Sequence, residues 1–170
     1  GFNTCLCVDI GHDVMQCSAM CDGTVVKEAE SRSQLAGSAL DLFTGRCILK
    51  MDNFITYGEF TNVEKTKAKE VIVASIGGTY DDMGHACGEV LFRPNEIKKA
   101  ALPDENGEDL DVAELSACPS IVEFIEQAIQ KCDAQYTNEL WAHIIITGGS
   151  SLLNGFKERI QQELARVNEN

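Results

Sequence analysis

The chain has 170 residues, 44% of them hydrophobic, and a formal charge of -13 from 27 acids against 14 Lys and Arg. That length makes one domain, or one lobe of a larger fold, and suffices to bury roughly two-thirds of the unfolded surface. The charge argues against direct nucleic-acid binding, because no basic patch offsets the acids, and it favours a basic partner such as a Lys/Arg-rich helix. No hydrophobic run approaches the ~20 residues that span a bilayer, so no membrane is expected. The opening "GFNTCLC" has neither the basic nor the apolar region of a secretory leader, and none is expected.

In chain order, "TCLCVDI" (4–10) is a β-rich run ending in an acid, and "VMQCSAM" (14–20) is a second run. An Asp-Gly pair in "CDGT" (21–24) then leads into "VVKEAE". Both turn residues tolerate positive φ, so the first thirty residues predict three antiparallel strands. "SQLAGSALDLF" (33–43) predicts a helix with Leu35, Ala39, Leu42 and Phe43 on one face. Signals weaken over 48–92. "NVEKTKAKEVIVASI" (62–76) begins helical and turns β-branched, "GGTYDDMGHACGE" (77–89) is loop chemistry, and "VLFRPNEI" (90–97) predicts a strand ended by proline.

"LPDENGEDLDVAE" (102–114) predicts an acidic, solvated loop. "PSIVEFIEQAIQKCD" (119–133) predicts a helix starting at Pro119, with Ile121, Phe124, Ile125 and Ile129 as its apolar stripe. The single tryptophan, Trp141, precedes an apolar strand over 143–147 and is expected to pack in the core. After a turn at 148–150, a helix from about 155 buries Phe156, Ile160 and Leu164. No repeat of solenoid period is present.

The eight cysteines suggest small buried thiols more than a metal centre. A zinc site wants paired knuckles, whereas here a single C-x3-C (Cys17, Cys21) stands far in sequence from His12, His85 and His143. Free thiols suit a reducing compartment, cytosol or nucleus.

Two short motifs bear on chemistry. "VDIGHD" places Asp9 at a strand end, where a carboxylate can meet a metal ion, and Gly11 in a turn, where bare N–H groups can meet phosphate. "TGGSS" places Gly148, Gly149 and Ser150 where a ligand's base or ribose could approach the backbone. Each motif is equally satisfied by a tight turn with no ligand.

Taken together and in this order, "CLCVDIGHDVMQCSAMCDGTVV…QLAGSALDL", "LFRP" and "QKCDAQYTNELWAHIIITGGSSLLNGFKERIQQEL" resemble the second half of the actin family. The resemblance covers about two-thirds of the chain and ties Lys-Cys-Asp, the Gly-Gly turn and Gly155 by their spacing. It implies an α/β fold of the actin-like (ribonuclease H-like) type, with a mixed sheet, an antiparallel start and flanking helices. It divides the chain into a large-lobe core (1–47 and 93–170), a reduced insert (48–92) and an acidic loop (103–115).

Residue by residue, it implies that Asp9 is associated with nucleotide-bound Mg and that Gly11 belongs to a phosphate loop. Gly37 would lie under the nucleotide. Gly148, Gly149 and Ser150 would form the adenosine turn, with Leu152 and Leu153 near the base. Lys67 would be a base contact. ATP or ADP with Mg is the cofactor so implied.

The match departs where phosphate chemistry should be. His12 and Asp13 replace an Asp-Gly pair, and Asp13 adds a carboxylate where backbone should meet phosphate. Gln16 falls where the family has a histidine that positions water, and it is a poor general base. The family's first phosphate segment finds no match, which implies a one-sided site that does not close over a substrate. The expectation is an architectural subunit without ATP hydrolysis, non-polymerising, in a nuclear complex that remodels chromatin or modifies histones. Its partners would be actin or a second actin-related protein and a basic amphipathic helix of a motor or scaffold subunit. A cytoskeletal filament-end or motor-adaptor subunit is the alternative, and an ATP-dependent phosphotransferase lobe is the second.

Overall fold

Asp22 and Gly23 take φ of 50° and 76°. That is the mirror-image turn whose twist matches the strands it joins. It connects β2 (Met15–Cys21) to β3 (Thr24–Ser33), and β2 in turn pairs antiparallel with β1 (Cys5–Ile10). The predicted antiparallel start is therefore observed. The computed structural model describes residues 3–49, 83–100 and 109–168. Lys67, most of the 48–92 insert and residues 101–108 lie outside the described residues.

After β3 come α1 (Gly37–Leu49), α2 (Met83–Phe92), a 3-10 segment (Pro94–Ala100), α3 (Leu110–Ser116), α4 (Ile121–Gln130) and α5 (Thr137–Ala142). The chain then runs through β4 (Ile144–Thr147), a 3-10 turn (Gly149–Leu152) and α6 (Phe156–Asn168). The sheet order is β3-β2-β1-β4, with β4 parallel to β1. This mixed sheet with flanking helices is the expected α/β class.

Alternation on the strands decides where the core sits. Leu6, Val8 and Ile10 of β1 are fully buried, while Cys7 and Asp9 between them are half-buried. The register sets Val8 opposite Cys17 and Ile10 opposite Met15, so one face of the sheet is continuous apolar surface. Helix α4 covers that face at β2 and β3 and α5 covers β1, while α1 packs on α2. Burial of Ile121, Phe124, Ile125 and Ile129 makes the predicted stripe of α4 the main lid. Each such side chain contributes about 1.5–3 kcal/mol. Phe156 and Ile160 of α6 are buried, Leu164 is partly so, and Trp141 packs against the core from its edge.

Two expectations are corrected. Residues 83–92 are a helix, not a loop running into a strand, and a 3-10 turn follows Pro94. Gly84 and Gly88 make this segment look like a loop, but Gly88 packs beside the turn after β4, where a Cβ would be in ordinary contact, 3.6 Å from Leu153 Cδ1. Val90 and Leu91 are fully buried in the same core cluster as the residues of β1. The second correction concerns the acidic loop. Its last part is α3, capped by Asp109, whose carboxylate accepts from Val112 N at 3.3 Å, and anchored by buried Val112. Within it, Asp111 and Glu114 are on the solvent side of the helix. Among the described residues, no helix is long and apolar enough to cross a membrane.

Candidate functional site

Parallel pairing brings the two motifs together. Asp9 is the register partner of Thr147, so the turns that follow β1 and β4 emerge side by side at one end of the sheet. Adjacent strands are about 4.8 Å apart and two residues span at most about 7 Å, which puts Gly149 within about 12 Å of Asp9. The carbonyl of Gly11 ties the turns to each other, accepting from Gly37 N at 3.1 Å and from Ser150 Oγ at 3.2 Å. The Gly11 N–H donates to Val14 O at 3.1 Å, and Ser38 N–H donates to His12 O at 2.6 Å.

This packing assigns the glycines different work. Gly148 has φ 93°, and a Cβ there would lie 2.3 Å from Ile10 O. A Cβ on Gly37 would meet Ser150 Oγ at 3.0 Å and His12 Cα at 3.1 Å. Around Gly149, by contrast, nothing lies within 4 Å of such a Cβ. Leu152 beside it is 83% exposed. Gly37, Gly148 and Ser150 are engaged in close protein packing, and Gly149 and Leu152 face outward.

Electrostatics at the β1 turn are acidic. Asp9 is half-buried on the open face of the sheet, where Gln16 Nε2 donates to Asp9 Oδ2 at 3.5 Å. That face forms a concavity of about 480 Å³ lined by Cys7, Asp9, Gln16, Ser18, Glu30 and Arg32, among others. His12 is exposed, 3.7 Å from both Asp13 and Asp41. Next to it, Asp13, Asp111 and Glu114 line a second concavity of about 350 Å³ with Gln34, Ser38 and Leu42, and no basic side chain lines it among the described residues.

Behind the Gly149 turn lies a cluster that the sequence did not announce. Arg159 of α6 donates to both carboxylate oxygens of Glu89 on α2, at 3.0 and 3.3 Å, and to Glu163. Its guanidinium lies 4.8 Å over the Phe92 ring, which in turn packs 5.6 Å from Phe156. Glu89 is the main reason the guanidinium holds its proton more tightly than usual, and Arg159 holds the Glu163 carboxyl below its ordinary value. The cluster clamps α6 to α2 and so fixes the turn between β4 and α6.

The actin family model matches residues 78–170, more than half of the chain. The chain belongs to the actin family. Actin-like protein 7A from Macaca fascicularis and from Homo sapiens are each 23% identical to it over 184 residues. Those alignments cover 95% of this chain and 38% of the relatives, so the chain spans about two-fifths of the curated relatives it matches.

Members of the actin family typically bind a nucleotide with Mg, so the fit of that group to this actin-family chain can be judged. The outward end, Gly149 with Leu152, leaves room for a base. The phosphate end does not fit. The Gly11 N–H is already used inside its own turn, and the adjoining concavity presents three carboxylates where a polyphosphate would need donors. Nor do the described residues supply a metal centre, since no group of three or more His, Cys, Asp or Glu is placed to hold an ion. Asp9 could reach a metal only as a single carboxylate. A long-range contact of this site, Ser150 to Gly11, was hidden in the sequence because it joins residues 139 apart.

Proposed function

We propose that this actin-family chain is an architectural subunit that binds other proteins and does not hydrolyse ATP. The observation that carries this reading is the acidic wall at the turn after β1, formed by Asp13, Asp111 and Glu114. Like charges facing a triphosphate across an open concavity oppose binding, though solvent screens them, before any chemistry begins. Gln16 adds nothing as a base, because a neutral amide does not take up a proton near pH 7.

The same field favours a basic partner. A net charge of -13 and the exposed Leu110, 64% accessible beside Asp111, suit a Lys/Arg-rich amphipathic helix with an apolar stripe. Family resemblance, and not the site itself, supports the narrower form of the proposal. In that form the assembly is nuclear and acts on chromatin, with actin or another actin-related protein as a neighbour.

The test is nucleotide binding measured by equilibrium dialysis with Mg-ATP, together with phosphate release. Affinity weaker than about 0.1 mM and no turnover above buffer are expected. Asp13→Gly should tighten ATP about two- to fivefold, since an exposed, solvent-screened like charge is worth at most about 1 kcal/mol. Micromolar ATP binding with turnover by the unaltered chain would sink the proposal.

A further inference from the structure

The turn over 153–156 joins the 3-10 segment of the candidate site to α6, and it carries Asn154 directly before Gly155. Asn154 is exposed. Gly155 has φ 76°, a main-chain form that glycine adopts without steric cost. A hydrogen bond from Phe156 N to Leu153 O, at 3.0 Å, closes the turn. Neither the Asn154 side-chain amide nor the Gly155 N–H makes a hydrogen bond among the described residues. The amide carbon and the nitrogen that can attack it are therefore neighbours, both unrestrained by hydrogen bonds, and no side chain on residue 155 shields them.

Other asparagines among the described residues lack this setting. Asn3 precedes Thr4, and Asn95, Asn138 and Asn168 each precede a glutamate, whose side chain crowds the following main-chain nitrogen. Asn106 also precedes a glycine, but it lies outside the described residues.

We propose that Asn154 is a site of spontaneous deamidation, and that its isoaspartate product loosens α6 from α2 beside the Gly149 turn. The Gly155 nitrogen, deprotonated by hydroxide, attacks the side-chain carbonyl carbon of Asn154 as the turn opens. A C–N bond forms to close a succinimide ring, the bond to the side-chain nitrogen breaks, and that nitrogen leaves as ammonia. Water then adds to one ring carbonyl, and the ring C–N bond beside it breaks. Addition at the side-chain carbon gives aspartate, and addition at the main-chain carbonyl gives isoaspartate. One water is consumed and one ammonia released in all, with no change of oxidation state.

The two products differ in what they do to the fold. Isoaspartate routes the main chain through the side-chain carbon and so adds a methylene between Leu153 and Phe156. The hydrogen bond that closes the turn spans that insertion. So does the anchor of α6, where Phe156 is 4% exposed with its ring 5.6 Å from Phe92, and Arg159 holds Glu89 of α2 at 3.0 Å. A longer turn displaces one or both of these contacts. Aspartate leaves the main chain as it was. It adds only a charge, at the rim of the small cavity that Asn154 lines with Glu89 and Arg159.

The experiment incubates the full chain for days to weeks at several pH values and follows the peptide holding Asn154 by mass spectrometry. Isoaspartate is counted by methyl transfer from S-adenosylmethionine with protein isoaspartyl methyltransferase. The expected product is heavier by the difference between a hydroxyl and an amino group, contains isoaspartate, and forms several-fold faster for each unit rise in pH above neutral. Its accumulation should lower the Tm by several degrees. Asn154→Gln, an exposed change whose side chain cyclises far more slowly, should keep the fold and hold its Tm through the same incubation. Freshly prepared Asn154→Asp should lose little Tm, since it supplies the charge without the longer main chain. Asn154 still intact after Asn106 has converted would overturn the proposal, and so would an equal loss of Tm in Asn154→Gln.

Discussion

Three glycines of one turn system separate packing from ligand contact. Gly148→Ala places a Cβ against the Ile10 carbonyl at a φ that L residues rarely adopt. The strain and the clash together should cost at least about 3 kcal/mol in urea denaturation, or prevent folding. Gly37→Ala meets backbone at 3.1 Å, a tighter fit than most, and should cost about 1–3 kcal/mol. Gly149→Ala should stay within about 0.5 kcal/mol of the parent, because its surroundings are open. A large loss from Gly149→Ala would mean that the turn is packed more tightly than the geometry indicates.

Glu163 supports a pH prediction at the same scale. Arg159 holds its carboxyl below the ordinary 4.5. A depressed carboxylate gives stability that is complete above the unfolded value and is lost as pH falls through the folded one. Stability should therefore decline as pH drops below 4.5, and Glu163→Gln should make that decline shallower while lowering stability at neutral pH. An unchanged acid slope, measured by denaturation at successive pH values, would remove Glu163 from the account. The roles of these residues were only half legible in the sequence. "TGGSS" announces a turn, but only pairing with β1 shows that Gly148 and Ser150 serve packing.

Among the elements, periodicity served well where one face is buried and poorly where small residues or charges dominate. The stripe of α4 could be read directly, and its start is fixed by a capping box. Ser120 Oγ accepts from Glu123 N at 3.3 Å, and Ser120 N donates to Glu123 Oε2 at 2.7 Å. Ser120→Ala should cost about 1 kcal/mol, with Ser120→Asp close to neutral, as read by thermal melts. In α2 the signal failed because Gly84 and Gly88 mimic a loop, whereas the fully buried Val90 and Leu91 hold the end of the segment in the core. In α3 it failed because the helix has only seven residues and a single buried one, Val112, too few to show a period. Asp109 begins that helix and buried Val112 anchors it.

For the molecule as a whole, composition makes a basic partner the expectation but gives it no place on the surface. The structure gathers Asp13 from the turn after β1 and Asp111 and Glu114 from α3 onto one concave surface. Screening gives a direct check on that surface. Binding of a Lys/Arg-rich amphipathic peptide, followed by Trp141 fluorescence, should weaken steeply between low and physiological salt. A salt-independent affinity would place the partner elsewhere.

The parallel pairing of β1 with β4 also dictates an order of assembly. The three-stranded start is local and can zip up early, but the central strand β1 must wait for residues 144–147 before its second edge is paired. Contacts of such separation close late, typically in milliseconds to seconds. Ser150 then joins Gly11 in the same late step. During synthesis the β1 edge is left unguarded while most of the chain emerges, a window in which a chaperone or another strand competes for it. The candidate site is thus complete only once residues 144–150 have joined β1 and its turn.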